Sequence, residues 1–143
     1  GRYKEILEKE IRSADVQDMF HMLGRKKPEE IPAYLAWCDV AFISFADNPL
    51  FEMTIPAKLQ SYMACGMPII AAASGETKRI VREAECGMVC ELGNAKALAE
   101  SIYSMAKTGF EILEEMSKGA CQYYCREFNR ANLLDRIGKY LDN

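Results

Sequence analysis

Several residue patterns that would indicate a particular function are missing from this chain of 143 residues. It has one histidine, His21, and none of its six cysteines forms a Cys-x-x-Cys pair, which argues against a zinc site. A formal net charge of −3 provides no basic surface for nucleic acid. No apolar run approaches the roughly 18 residues that a membrane helix needs, and no signal peptide is visible. These absences favour a cytoplasmic protein with reduced thiols and no bound metal.

The residues that are present are typical of one globular domain with a substantial core. Hydrophobic residues make up 50% of the chain and charged residues 27%. Apolar runs that read as strands, over residues 16–23, 40–44, 69–73 and 87–91, alternate with segments of helical periodicity. This alternation predicts an α/β fold with a mostly parallel sheet.

Residues 55–77 carry the most specific pattern. Pro56 suits a first helical position, Gly66 suits a left-handed helix end, and Pro68 follows as a stop. Residues 69–73 then read as a strand buried on both faces. Because parallel sheets bind ligands beyond the carboxyl ends of their strands, we expect Ser74 and Gly75 to border a site.

Two helix starts in this stretch are candidate anion sites. Lys58 lies in a first helical turn, where its charge opposes the helix dipole, and a bound anion would remove that conflict. A solvated lysine explains the same residue. At the next helix, Ser74, Gly75 and the amides of Glu76 and Thr77 form a second candidate, for which capping by Ser74 is the alternative.

The loop over residues 45–54 follows a predicted strand and leads to the Lys58 helix, so its polar residues are also candidates. Asp47, Asn48 and Glu52 are these candidates, with turn formation as the alternative for the first two. His21 has no second histidine to work with, and a core or edge position is favoured over catalysis. The sequence identifies no catalytic residue.

The ordered motifs resemble a known family. They are Pro56-Ala57-Lys58, the run from Tyr62 to Ile70, Gly75-Glu76 and Glu85-Cys86-Gly87. This pattern resembles the C-terminal half of GT-B glycosyltransferases of family 4, and most of all the bacterial surface-polysaccharide members with Pro-(Ser/Ala)-Lys.

The resemblance implies a Rossmann-like parallel sheet with helices on both faces, in a chain truncated at its N-terminus. Residues 1–128 would be a partial nucleotide-sugar-binding domain, and residues 129–143 a helix that crosses to a missing N-terminal domain. That domain would hold the catalytic residues and the acceptor site, so we expect the chain alone to be inactive.

The implied activity is transfer of a sugar from a nucleoside diphosphate sugar to a glycan or lipid-linked acceptor, without a metal or another cofactor. The donor diphosphate would be held by two groups of residues, Pro56, Ala57 and Lys58, and Ser74, Gly75 and Glu76. Gly24 and Arg25 would edge the base, although a surface arginine explains Arg25 equally well.

The sequence departs from the family at two positions, since Met53 and Ser61 stand where many members have glutamates. Ser61, and Glu52 beside Met53, are therefore weaker candidates for binding the ribose. A non-catalytic nucleotide-binding or assembly module and a GT-B-type sugar-nucleotide epimerase stay open as alternatives. So do peripheral membrane association of the intact enzyme and a swapped or edge-paired dimer of this chain.

Overall fold

A computed structural model of the chain describes residues 3–45 and 48–141, so the candidate Asp47 lies outside the described residues. The chain divides into two compact units, residues 1–31 and residues 32–143. The second unit contains the sheet and most of the helices.

The first unit begins with helix α1 (Lys4–Ser13), which buries Ile11. One 3-10 turn (Gln17–Met19) follows, and Phe20 then has extended backbone dihedrals. The predicted strand over residues 16–23 is wrong, because no described segment pairs with this stretch, and an extended backbone becomes a strand only beside a hydrogen-bonded neighbour. A second 3-10 turn (Pro28–Glu30) and helix α2 (Ile31–Leu35) follow along the chain.

The second unit is built on three parallel strands, β1 (Ala41–Ser44), β2 (Ile69–Ala72) and β3 (Gly87–Cys90), in the spatial order β1-β2-β3. The three strands are aligned, with Ala41 opposite Ile69 and Ile69 opposite Gly87. Every residue of β2 is buried, as expected for a central parallel strand. The three strands predicted in this unit are therefore confirmed.

Helices cover both faces of this sheet. On one face, helices α4 (Ala57–Ala64), α5 (Gly75–Glu83) and α7 (Phe110–Tyr123) enclose the main core, in which Leu59 and Ile80 pack with Ile69. On the other face, Ile70 of β2 lines a cavity with Met105 of helix α6 (Ala95–Ala106). The predicted α/β class with a parallel sheet is confirmed.

The turn residues explain where these helices begin and end. Gly66 has a φ of +64° and directs its amide to the carbonyl oxygen of Met63 at 3.0 Å, so it ends α4 as predicted. Pro56 lies one position earlier than expected, because its extended backbone (ψ 142°) makes it the residue before the helix. Asn94 caps α6 by accepting a hydrogen bond from the amide of Ala97 at 2.9 Å.

Two short segments and a last helix complete the second unit. Helix α3 (Pro49–Glu52) lies between β1 and α4, and a π-helical turn (Tyr124–Phe128) follows α7. Asn129 accepts a hydrogen bond from the amide of Ala131 at 3.0 Å and caps helix α8 (Arg130–Leu141). The apolar residues of α8 are largely exposed, with 56% of Leu134 and 81% of Leu141 accessible to solvent.

The six cysteines are free thiols in two environments. Cys86 and Cys90 are buried, and burial raises the pKa of Cys86 to about 11. Cys38, Cys65, Cys121 and Cys125 are exposed, so only Cys86 and Cys90 serve as small core residues.

Candidate functional site

The topology brings two helix starts to one edge of the sheet. Ser44, Ala72 and Cys90 end the three strands at the same level, since they are in register. Helix α5 begins three residues after β2, and α4 follows β1 through the short helix α3. The starts of α4 and α5 therefore both lie at the carboxyl edge, where parallel sheets bind ligands.

At the start of α4, the ammonium group of Lys58 and two backbone amides have no partner among the described residues. Lys58 is exposed and forms no ion pair or hydrogen bond within residues 3–45 and 48–141. The amides of Ala57 and Lys58 have no acceptor there either, because the first hydrogen bond of this helix runs from Leu59 to the carbonyl oxygen of Pro56 at 3.0 Å. An anion would be stabilised at this position by the ammonium group and the free amides together.

The backbone amides at the start of α5 also have no hydrogen-bond acceptor among the described residues. Ser74 precedes the helix with an extended backbone (φ −114°, ψ −175°), but its hydroxyl makes no capping hydrogen bond. Ordinary capping therefore does not account for Ser74 in this structure. The amide of Lys78 donates to the carbonyl oxygen of Ser74 at 3.5 Å, which is long for a hydrogen bond.

Gly75 is required by packing as well as by its backbone conformation. Its φ is +56°, and a Cβ at this position would lie 2.0 Å from the carbonyl oxygen of Glu52. The end of α3 thus rests directly on the start of α5. This contact explains Gly75 without a ligand, although the amide of Gly75 stays available to one.

The side chain of Glu76 is used for surface pairing. Arg79 donates to both of its carboxylate oxygens, at 3.0 and 2.8 Å, and also to Glu83. These hydrogen bonds hold the pKa of Glu76 below its ordinary value. Only the backbone amide of Glu76 is therefore available for the predicted anion site.

A cavity of about 470 Å³ lies beside the start of α5, and we call it the strand-end cavity. Its walls come from α5, from the segments that follow β2 and β3, and from α3. The lining residues are Glu52, Ala73, Ser74, Lys78, Arg82, Val89, Cys90, Glu91 and Leu92. The sequence analysis did not identify Lys78 or Arg82, although successive intervals of four residues, from Ser74 to Lys78 and from Lys78 to Arg82, place all three on one helix face.

The weaker candidates are distributed between the two units. Ser61 donates its hydroxyl hydrogen to the carbonyl oxygen of Ala57 at 3.1 Å, so this hydroxyl is used inside α4. Asn48 accepts from the amide of Leu50 at 2.9 Å, which is the turn role that was the alternative for it. In the first unit, Gly24 and Arg25 line a cavity of about 970 Å³ together with His21, which is exposed.

The sequence analysis did not predict that the hydroxyl group of Thr77 is buried, because only packing reveals it. Thr77, in the first turn of α5, is fully buried, and its Oγ1 has no hydrogen-bond partner among the described residues. A buried hydroxyl without a partner costs about 1–3 kcal/mol.

Within residues 3–45 and 48–141, no three His, Cys, Asp or Glu side chains converge so that they could hold a metal ion. Over the same residues, no helix has the length and apolar character needed to cross a bilayer. The chemistry that the described site offers is stabilisation of negative charge by amides and ammonium groups.

Comparison with known proteins gives this geometry a context. The chain is 26% identical over 108 residues to the amylovoran biosynthesis glycosyltransferase AmsK of Erwinia amylovora, a match that covers 75% of this chain and 26% of that protein. It is 24% identical over 131 residues to the "Putative colanic acid biosynthesis glycosyltransferase WcaL" of Escherichia coli K12, which covers 91% of this chain and 32% of that protein. The chain thus spans about a quarter to a third of the length of these relatives.

Two further comparisons address the fold and the family. Sucrose-phosphate synthase from Thermosynechococcus elongatus superposes with a TM-score of 0.84 at 20% identity, over 99% of this chain and 34% of that chain. The fold therefore matches the Rossmann-like C-terminal domain of a GT-B protein, as the sequence predicted. The family model described as "Glycosyl transferases group 1" matches residues 1–123. The chain belongs to the glycosyl transferases group 1 family.

Proposed function

We propose that this chain is the donor-binding part of a glycosyltransferase that moves a sugar from a nucleoside diphosphate sugar to a glycan or lipid-linked acceptor. Membership of the group 1 family and similarity to two polysaccharide biosynthesis enzymes support sugar transfer. The proposal adds the nucleotide-linked donor, the family 4 placement and a cytoplasmic location.

The observation that carries the proposal is the start of α4. Lys58 and the amides of Ala57 and Lys58 have no partner among the described residues, and they lie at the carboxyl edge of a parallel sheet. In this mechanism they bind the donor diphosphate and stabilise the negative charge that builds on it as the bond to the sugar breaks. The two amides are held in place by the helix backbone before the reaction, so they need little reorganisation.

A non-catalytic nucleotide-binding module is the second candidate. It is favoured by Met53 and Ser61, which lack a carboxylate, and by the hydrogen bond that engages the Ser61 hydroxyl within α4. Turnover by the intact protein separates the two candidates. A change at one carbon of the free nucleotide sugar, without acceptor, would instead indicate an epimerase.

The direct test of the proposal is a panel of nucleoside diphosphates and their sugars added to the intact protein, with thermal unfolding as the readout. A ligand that binds only the folded state raises the unfolding temperature, and the rise grows with the logarithm of the ligand concentration relative to its Kd. We expect at least one diphosphate to stabilise the protein and the matching nucleoside to have no effect. Equal effects of nucleoside and diphosphate would contradict the proposed phosphate site.

Replacing Lys58 tests the residue at the centre of the proposal. We expect Lys58→Ala to weaken diphosphate binding roughly tenfold to a hundredfold, since a hydrogen bond to a charged group contributes about 1.5–3 kcal/mol. The free energy of unfolding should change by less than about 1 kcal/mol, because the lost cation lay in an unfavourable first-turn position. Titration calorimetry and urea denaturation measure the two quantities.

The matched control for this variant is Lys107→Ala, which removes an exposed cation whose ammonium lies over the ring of Tyr103. It should leave diphosphate affinity unchanged. Equal affinity in the wild type and Lys58→Ala would return Lys58 to the role of a solvated surface residue. Sugar transfer by this chain alone would contradict the further expectation that the acceptor site lies in another domain.

A further inference from the structure

Two cationic side chains line the strand-end cavity, and neither has a partner among the described residues. Lys78 and Arg82 are four positions apart on α5, so they share one helix face, and both line the cavity. Neither forms an ion pair or a hydrogen bond through its side chain within the described part of the chain. Two like charges at this spacing repel each other, and Lys78 also lies near the positive end of the helix dipole.

The third cation of α5 shows that partners are available on this helix. Arg79 contacts Glu76 at 2.8 Å and also pairs with Glu83, whereas Lys78 and Arg82, which are exposed as well, pair with no side chain among the described residues. The helix therefore places its paired cation on one face and its two unpaired cations towards the cavity.

Two carboxylates share the cavity with these cations. Glu52 and Glu91 both line it, and neither lies within the 4.0 Å ion-pair distance of Lys78 or Arg82. Glu91 accepts a hydrogen bond from the side-chain amide of Asn94 at 3.1 Å, and its remaining acceptor sites are open. The Ser74 hydroxyl, which caps nothing, lies on the same wall.

This combination selects among ligand classes. A neutral sugar would satisfy the carboxylates through its hydroxyl groups but would leave both cations without an anion. An inorganic anion would pair with the two cationic side chains but would be repelled by the carboxylates of Glu52 and Glu91. A sugar that carries one acidic group satisfies both sets, and the volume of about 470 Å³ lies within the range of ligand pockets, roughly 300–1,000 Å³.

We propose that the strand-end cavity is a subsite for an acidic sugar, whose carboxylate or phosphate oxygens bind Lys78 and Arg82 and whose hydroxyl groups donate to Glu52 and Glu91. This subsite is separate from the diphosphate position at Lys58. The inference rests on the proposed function in one respect only, namely that the acidic sugar is part of a substrate.

The test is a titration of the 143-residue chain with glucuronic acid, glucose 6-phosphate and glucose, followed by amide chemical shifts. The two acidic sugars distinguish a carboxylate from a phosphate as the preferred group. We expect at least one of them to shift amides over residues 74–82 and 89–92 in a saturable manner, and glucose to bind at least tenfold more weakly. Binding should weaken between about 0.05 and 0.3 M salt, because exposed charges are screened over that range.

The variant Lys78→Gln/Arg82→Gln should weaken binding of the acidic sugar at least tenfold. Its matched control, Lys107→Gln/Lys118→Gln, removes the same charge from helices that do not line the cavity and should change the affinity less than twofold. Amide spectra of both variants report whether the fold is kept. Equal binding of glucose and both acidic sugars would overturn the subsite, as would unchanged affinity in the cavity variant.

A second arm separates this inference from the proposed function. Lys58→Gln should leave binding of the acidic sugar unchanged while it weakens binding of the nucleoside diphosphate. If the diphosphate displaces the acidic sugar and shifts the same amides, the cavity is the diphosphate site and the separate subsite is wrong. If the acidic sugar binds the cavity and no diphosphate binds anywhere, the subsite stands and the proposed function fails.

Discussion

Helices α4 and α5 begin at the same edge of the sheet, but their surroundings differ. At α4, Pro56 precedes a turn whose Ala57 and Lys58 are exposed. At α5, Gly75 is pressed against the backbone of Glu52, and Thr77 is fully buried. The first helix start is defined by local sequence, while the second is also defined by packing, so substitutions should affect stability far more at α5 than at α4.

The largest expected effect is that of Gly75→Ala. A left-handed backbone costs an L-residue roughly 1–2 kcal/mol, and overpacking adds about 1–3 kcal/mol, because the new Cβ would meet a backbone carbonyl that cannot rotate away. We expect the free energy of unfolding, measured by urea denaturation, to fall by about 3 kcal/mol. Gly93→Ala is the control, since Gly93 also has a positive φ (74°) but open space around it. Equal losses in the two variants would show that the contact with Glu52 contributes nothing.

The next effect concerns the buried hydroxyl of Thr77. Thr77→Val keeps the side-chain shape and removes a polar group without a partner, so we expect a gain of about 1 kcal/mol in the free energy of unfolding. Thr77→Ala should instead destabilise, because it also removes a buried methyl group. A loss of stability in Thr77→Val would mean that the hydroxyl has a hydrogen-bond partner in solution.

A smaller difference should separate a capped helix start from an uncapped one. Asn94→Ala should cost about 1 kcal/mol of unfolding free energy, since the Asn94 side chain accepts from the amide of Ala97. Ser74→Ala should cost only a few tenths of that amount, because Ser74 makes no capping hydrogen bond. Thermal and urea unfolding measure both variants. Equal losses in Asn94→Ala and Ser74→Ala would mean that Ser74 caps α5 after all.

The smallest effect is a pH dependence at Glu76. Hydrogen bonds from Arg79 lower the pKa of this exposed carboxyl, so its ionised form favours the folded state above the ordinary pKa of glutamate. That contribution is lost as the pH falls through the lowered value. The stability difference between the wild type and Glu76→Gln should therefore shrink between about pH 6 and pH 3. In an Arg79→Gln background the difference should be small at both pH values.

The sequence predicted the elements that local patterns define. The strand over residues 69–73 was recognisable from its apolar run, and Gly66 was recognisable as a helix end. Each prediction depended on residues within a few positions of one another. The strand predicted over residues 16–23 was wrong because strand formation also requires a neighbour, which an apolar run cannot provide by itself.

The candidate site was predicted only in part. Lys58 was identified because a cation in a first helical turn is a local anomaly, and the absence of a partner for its side chain within residues 3–45 and 48–141 agrees with that reasoning. Lys78 and Arg82 were not identified, because the cavity they line also depends on the segment after β3, which is brought beside α5 by the fold. The burial of Thr77 likewise depends on tertiary packing and leaves no mark in the sequence.

The contact between Gly75 and Glu52 has a mechanical consequence. No atom-sized gap separates the two backbones, so the first turn of α5 cannot advance towards α3 without pushing that short helix ahead of it. Glu52 lies only four residues before Pro56, with no regular element in between. A displacement of the first turn of α5 would thus be passed through α3 to the start of α4.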